Sequence, residues 1–192
     1  MPTTRCVFFD RDGVANAAPG PGRYVTRPEE FHILPGFLAA LRVAVRRGYR
    51  AAVVTNQRCV ALGLISPAAL DDLHRRLRDA VSAAGVPDLL EIAVCPHDRG
   101  VCSCRKPQPG LLLEVARRHG LDLPASWMIG DAETDVEAGR RAGCRTLRVC
   151  ADSEPTAADW RAATMEAVPA LLERVLEPVP PTEEKPPDEH AV

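Results

Sequence analysis

Cys6-Val7-Phe8-Phe9-Asp10-Arg11-Asp12-Gly13-Val14 runs from four apolar residues into two carboxylates spaced two positions apart, followed by a glycine. A short apolar run bounded by a turn residue reads as a buried strand. Gly13 permits a sharp turn that leaves Asp10 and Asp12 at one strand end, facing one crevice. A carboxylate so placed is able to attack phosphorus and form an aspartyl-phosphate. Its neighbour is able to protonate the leaving oxygen and then deprotonate the attacking water. A solvated acidic turn would carry the same residues, so the reading depends on what the rest of the chain brings to that place.

Working outward, apolar runs at 6–9, 51–55, 90–95, 127–130 and 146–149 read as buried strands. Between them, amphipathic patterns predict helices over 37–47, 67–84, 111–119 and 132–142. Ser66 is placed as an N-cap with Pro67 behind it, and glycines 48, 85, 120 and 143 follow the helix ends. The alternation predicts an α/β fold, a three-layer sandwich with helices on both faces of a mostly parallel sheet. Ligands in such sheets bind beyond the carboxyl ends of the strands. Residues 157–176 predict one or two further helices, interrupted near Pro169. From Glu177 prolines and carboxylates replace apolar residues, so the expected division is a domain over 1–176 and a disordered tail over 177–192.

Each further strand end supplies a polar point. Thr55-Asn56 offers a hydroxyl and main-chain N–H groups for phosphate oxygens. Lys106, after Arg105, is able to neutralise charge in a phosphoryl transition state. Gly130-Asp131-Ala132-Glu133-Thr134-Asp135 places one carboxylate where Mg²⁺ could bind and another one helical turn on, where it would pair with Lys106. Taken singly, these are a polar strand terminus, a surface lysine and a helix cap. Their order along the chain is the order the chemistry needs.

Of the seven cysteines, three fall in Cys95-Pro96-His97 and Cys102-Ser103-Cys104. Three thiolates and an imidazole within ten residues suit tetrahedral Zn²⁺, and four protein ligands make the expected role structural. A metal would order a loop with few apolar residues and fix the backbone that leads into Arg105 and Lys106. Cys6 and Cys150 read as small buried hydrophobes. No apolar stretch has the ~20 residues of a membrane helix. The start reads directly into a strand without a secretory signal, so the expectation is a cytoplasmic protein, without a membrane and as a monomer. The net charge of −2 and 4% aromatic content argue against nucleic acid and leave a small phosphorylated metabolite as partner.

The set Asp10-x-Asp12-Gly13-Val14, Thr55-Asn56, Lys106 and Gly130-Asp131-x-x-x-Asp135 resembles the four motifs of the haloacid dehalogenase superfamily of phosphatases, over roughly residues 5–149. The resemblance implies a Rossmann-like domain with Asp10 as nucleophile and Asp12 as general acid/base. It implies Mg²⁺ held by Asp10, the Asp12 carbonyl and Asp131, with Thr55 and Lys106 on the phosphoryl group.

Cys-Pro-His followed by Cys-x-Cys-Arg-Lys-Pro-x-Pro-Gly is similar to the zinc-bearing branch. That branch contains the D-glycero-D-manno-heptose 1,7-bisphosphate 7-phosphatases and the histidinol-phosphate phosphatases. Gly22-Arg23-Tyr24-Val25 and 31–36 resemble the heptose enzymes more closely. The implied activity is removal of the 7-phosphate, with histidinol-phosphate hydrolysis as the alternative. A zinc-stabilised binding module without catalysis is the reading from another class.

Two departures bear on the substrate. The heptose enzymes carry Ser-Gly and then Ile-Ala-Arg-Gly where this chain has Arg58-Cys59-Val60-Ala61-Leu62-Gly63, and the loop between His97 and Cys102 is shorter. About 40 residues separate Asp10 from the second strand, too few for a helix and a lid domain, so the chain is expected to be capless. Arg23, Arg58 and Arg105 are candidate anchors for a second anionic group.

Overall fold

The computed structural model describes residues 4–87 and 89–178, so the expected tail lies outside the described residues from 179 onward. Six strands form one sheet: β1 (Cys6–Phe9), β2 (Arg50–Asn56), β3 (Ile92–Cys95), β4 (Trp127–Gly130), β5 (Arg145–Val149) and β6 (Trp160–Ala162). Their order is β3-β2-β1-β4-β5-β6, and every adjacent pair is parallel. The five expected strands are present. The sixth is a three-residue edge strand with Arg161 at its centre. An edge strand pairs on one side only and needs no continuous apolar run, so it left no such pattern to read.

Among the described residues there are six α-helices: α1 (Pro35–Arg46), α2 (Arg58–Ala61), α3 (Pro67–Ala83), α4 (Gly110–His119), α5 (Glu133–Ala142) and α6 (Val168–Val175). Ser66 Oγ accepts from Ala69 N at 3.1 Å and caps α3. Leu70, Leu73, Leu77 and Val81 repeat at three- and four-residue steps and are buried. Pro169 opens α6 rather than interrupting a helix. A proline is tolerated in a first turn because that N–H has no helical partner.

The alternation within β1 divides the core in two. Val7 and Phe9 pack with Phe37, Leu41, Leu73, Leu77 and Leu172 from α1, α3 and α6. Cys6 and Phe8 pack with Leu111, Leu112, Val115 and Ala138 from α4 and α5. Phe9 and Phe37 meet edge to face with centroids 5.2 Å apart. Each fully buried side chain of this size stabilises the fold by ~1.5–3 kcal/mol. No helix among the described residues is long and apolar enough to cross a membrane.

The strand order places the site. From β1 the chain moves to β2 and β3 on one side; from β4 it moves to β5 and β6 on the other. β1 and β4 therefore flank the switch point, where a crevice opens beyond the strand ends. Asp10 N donates to Ile129 O at 2.8 Å and ties the two strand ends together.

Candidate active site

Asp10 leaves β1 and Asp131 leaves β4, on either side of this crevice. Lys106 comes from the loop before α4, and its buried ammonium reaches Asp10 and, from α5, Asp135. Its Nζ lies 2.7 Å from Asp10 Oδ1 and 2.6 Å from Asp135 Oδ1, and donates to Val54 O at 2.9 Å. Asp135 is fixed at its other end, because Oδ2 accepts from Ala132 N at 3.1 Å. The expected pairing of Asp135 with Lys106 is what the structure places there.

Two glycines allow these approaches. A Cβ on Gly13, whose φ is +88°, would lie 2.1 Å from Asp131 Oδ2; one on Gly130 would lie 2.2 Å from Asp135 Cβ. Any side chain at either position would push a carboxylate out of place.

The carboxylates outnumber the cation. Burial and the nearby Asp135 push Asp10 up to about 8, against the opposing pull of Lys106. Burial, then Asp135, push Asp131 up to about 6. Burial alone would lower Lys106, but Asp10 and Asp135 outweigh it and hold the ammonium above its usual range. Carboxylate oxygens of Asp10, Asp131 and Asp135 all lie within 4.8 Å of one another. Asp135 is committed to Lys106 and Ala132, which leaves Asp10 and Asp131 as a hard-oxygen pair short of positive charge. That donor set fits Mg²⁺.

Asp12 faces the same cavity but is held from behind. Arg11 donates to it from Nε at 3.2 Å and from Nη2 at 2.9 Å to each oxygen. Asn16 Nδ2 donates at 2.9 Å and Gln57 Nε2 at 3.0 Å. Arg11, Asn16 and Gln57 are all buried, and sequence reasoning assigned none of them a role. Behind Arg11 stands His74, whose Nε2 is 3.4 Å from Nη1. Burial, then Arg11, push His74 down to about 4, so it is neutral and accepts from the guanidinium. Arg148 was also unassigned; its Nε donates to Asp131 O at 2.9 Å.

Thr55 lines the cavity, with its Oγ1 accepting from Gln57 Nε2 at 2.8 Å. Asn56 does something not foreseen. Its Oδ1 accepts from Lys106 N and its Nδ2 donates to Lys106 O, both at 3.0 Å, so the amide brackets the lysine's main chain.

The four zinc-type ligands converge. Cys95 Sγ is 3.6 Å from both Cys102 Sγ and His97 Nδ1; Cys104 Sγ is 3.3 Å from His97 Nδ1 and 3.4 Å from Cys102 Sγ. A tetrahedron with metal–sulfur bonds of about 2.3 Å has edges of about 3.8 Å, so the donor set fits such an ion. Burial and the adjoining thiols push Cys104 up to about 12. Thiols this close repel when ionised, and a cation at their centre removes the conflict.

The cavity at the switch point measures ≈ 430 Å³ and is walled by Pro19, Arg23 and Tyr24 opposite Thr55 and Asp131. An adjoining hollow of ≈ 610 Å³, sharing Asn56, Lys106 and Thr134, is bordered by Arg99 and Arg105. Two of the expected anchors, Arg23 and Arg105, thus face open volume. Arg58 does not: its Nε pairs with Asp98 Oδ1 at 2.5 Å, tying α2 to the cysteine loop.

A family model described as HAD-hydrolase-like matches residues 103–174. The D-glycero-beta-D-manno-heptose-1,7-bisphosphate 7-phosphatase of Pseudomonas aeruginosa is 36% identical over 145 residues, covering 74% of this chain and 79% of that one. The enzyme of the same name from Escherichia coli K12 is 31% identical over 186 residues, covering 90% and 95%. The crystal structure of D,D-heptose 1,7-bisphosphate phosphatase from Bordetella bronchiseptica, complexed with magnesium and phosphate, superposes with a TM-score of 0.79. It is 29% identical and covers 89% of this chain and 99% of that one. Identity at this level over most of the length, joined to a shared fold, means that the chain belongs to the haloacid dehalogenase family of phosphatases.

Proposed function

We propose that the protein removes the 7-phosphate of D-glycero-D-manno-heptose 1,7-bisphosphate, with Asp10 as nucleophile and Mg²⁺ as cofactor. The observation that carries this is the buried contact of Lys106 Nζ with Asp10 Oδ1 at 2.7 Å, at the strand edge that also holds Asp131. The names and coverage of the relatives support the substrate.

Asp10 attacks phosphorus, forming a P–O bond as the bond to the sugar oxygen breaks. Asp12 gives its proton to that oxygen. It then takes a proton from the water that cleaves the aspartyl-phosphate, which releases phosphate and restores Asp10. Lys106 and the Thr55 hydroxyl hold the transferring phosphoryl group, and Arg105 binds the substrate's far end. Asp10, the Asp12 carbonyl and Asp131 would hold Mg²⁺, which supplies positive charge against the phosphoryl oxygens. Cys95, His97, Cys102 and Cys104 would hold a structural Zn²⁺, with no position left open for chemistry.

A phosphate-release screen over heptose bisphosphates, other sugar phosphates and histidinol phosphate tests the substrate. The heptose bisphosphate is expected to give the highest kcat/KM in Mg²⁺ and almost no turnover in EDTA. A higher value for histidinol phosphate rejects the assignment.

Magnesium has a second readout. Asp10 and Asp131 are raised above their unfolded values, so in metal-free protein their contribution to stability is full below about pH 4. It is lost as pH rises through about 6 and about 8. Lys106, being raised, keeps its contribution throughout that range. Mg²⁺ favours the ionised carboxylates, so it should raise Tm more at pH 8 than at pH 5. An equal shift at both pH values in thermal melts counts against this binding site.

A further inference from the structure

We propose that Gln57 and Arg11 are positioning residues for Asp12, aiming the general acid without touching substrate. This deepens the proposed function and rests on the role given there to Asp12.

The carboxylate of Asp12 receives five N–H contacts from three side chains, at 2.9–3.2 Å. Rotation about its side-chain bonds would break several at once. The donors are themselves fixed. Arg11 is fully buried, its guanidinium 5.5 Å from the Phe31 ring centroid and 3.4 Å from His74 Nε2. A guanidinium has donors only, so His74 must present a lone pair, with its proton on Nδ1. A buried cation whose one carboxylate partner is its own neighbour in sequence is costly to build for stability alone.

Gln57 is held from the other side. Cys59 Sγ donates to Gln57 Oε1 at 3.4 Å, and this sets which end of the amide faces Asp12. Nε2 then donates to both Asp12 Oδ2 and Thr55 Oγ1. With its oxygen already accepting, the Thr55 hydroxyl proton is free to point into the cavity. One amide thus orients two cavity-lining groups. The Cys59 side chain thus locks the amide.

Asn16 completes the clamp at a cost. Its Nδ2 donates to Asp12 Oδ1 and Ala17 O, which leaves its buried Oδ1 without a partner among the described residues. An unsatisfied buried oxygen is rare and calls for a reason, and the donation from the other end of the same amide to Asp12 is one. Neither Arg11 nor Gln57 lines the cavity, so neither is placed to bind substrate.

The test separates aim from fold through the leaving group. A sugar alkoxide must be protonated to depart, whereas 2,4-dinitrophenolate departs unaided. kcat/KM reports only steps up to that departure. Asp12→Asn should lower kcat/KM for the sugar phosphate by ~10²–10⁴-fold and for dinitrophenyl phosphate far less. Gln57→Met, which keeps shape and loses the donors, should show the same split at about tenfold, with an unchanged circular-dichroism spectrum and a cooperative melt. Arg11→Lys should split likewise; if it does not fold, Gln57→Met alone decides. Equal losses on both substrates, or none, in folded Gln57→Met overturn the inference. If Asp12→Asn itself shows no split, the assignment of Asp12 as acid fails, and the clamp has no acid to aim.

Discussion

Asp10→Asn is expected to lower kcat by about 10⁴-fold or more while leaving the fold intact. The amide has the shape of the carboxylate but is no nucleophile toward phosphorus, so the covalent route closes. The surroundings tolerate the change. Lys106 keeps Asp135 at 2.6 Å and Val54 O at 2.9 Å, so the ammonium remains paired. Burial and Asp135 already disfavour the ionised form of Asp10, so a neutral side chain relieves the metal-free protein. Its Tm should therefore equal or exceed that of the parent in EDTA, and Mg²⁺ should raise it less. Steady-state phosphate release and thermal melts check both halves. Residual turnover within tenfold of the parent would mean that water attacks phosphorus directly, and the aspartyl-phosphate route would be wrong.

The residues legible in the sequence are those whose place follows from local rules. A buried strand must be apolar, so a polar residue at its end stands out: Asp10 and Asp131 directly follow β1 and β4, and Thr55 is the first polar side chain after the apolar run of β2. The cysteine cluster was legible because its ligands are close in the chain. Arg11, Gln57 and His74 obey no such rule. Each is a polar side chain made acceptable in the interior by partners, and Gln57 meets Asp12 across 45 residues. Only the folded chain shows that three side chains donate to Asp12. Arg58 is the converse case, a cation that looked free in the sequence and is taken up by Asp98 in the fold. Asn56 ends β2, and what the sequence did not show is that its side-chain amide is spent on the main chain of a residue fifty positions away.

Lys106→Met should damage both stability and catalysis, and a second substitution should separate the two. The ammonium is buried between Asp10 and Asp135. Removing one partner from a buried ion pair costs about 3–5 kcal/mol, because the remaining charge has neither water nor a counter-ion. Here two carboxylates lose the same cation, and Asp131 stands close by. The loss should be greater at pH 8 than at pH 5, since burial and the nearby Asp135 push Asp10 up to about 8 and protonation at the lower pH removes its charge. Asp135→Asn in the Lys106→Met background removes one of those charges and should recover most of the stability, with the amide oxygen still able to accept from Ala132 N. It should recover none of the activity, which falls by roughly 10²–10³-fold or more when a preorganised charge is taken from a transition state. Denaturant titration and kcat of the two single variants and the double variant close the cycle. If the double variant regained turnover, Lys106 would serve only to neutralise Asp135, and the phosphoryl group would have to draw its charge compensation from elsewhere in the crevice.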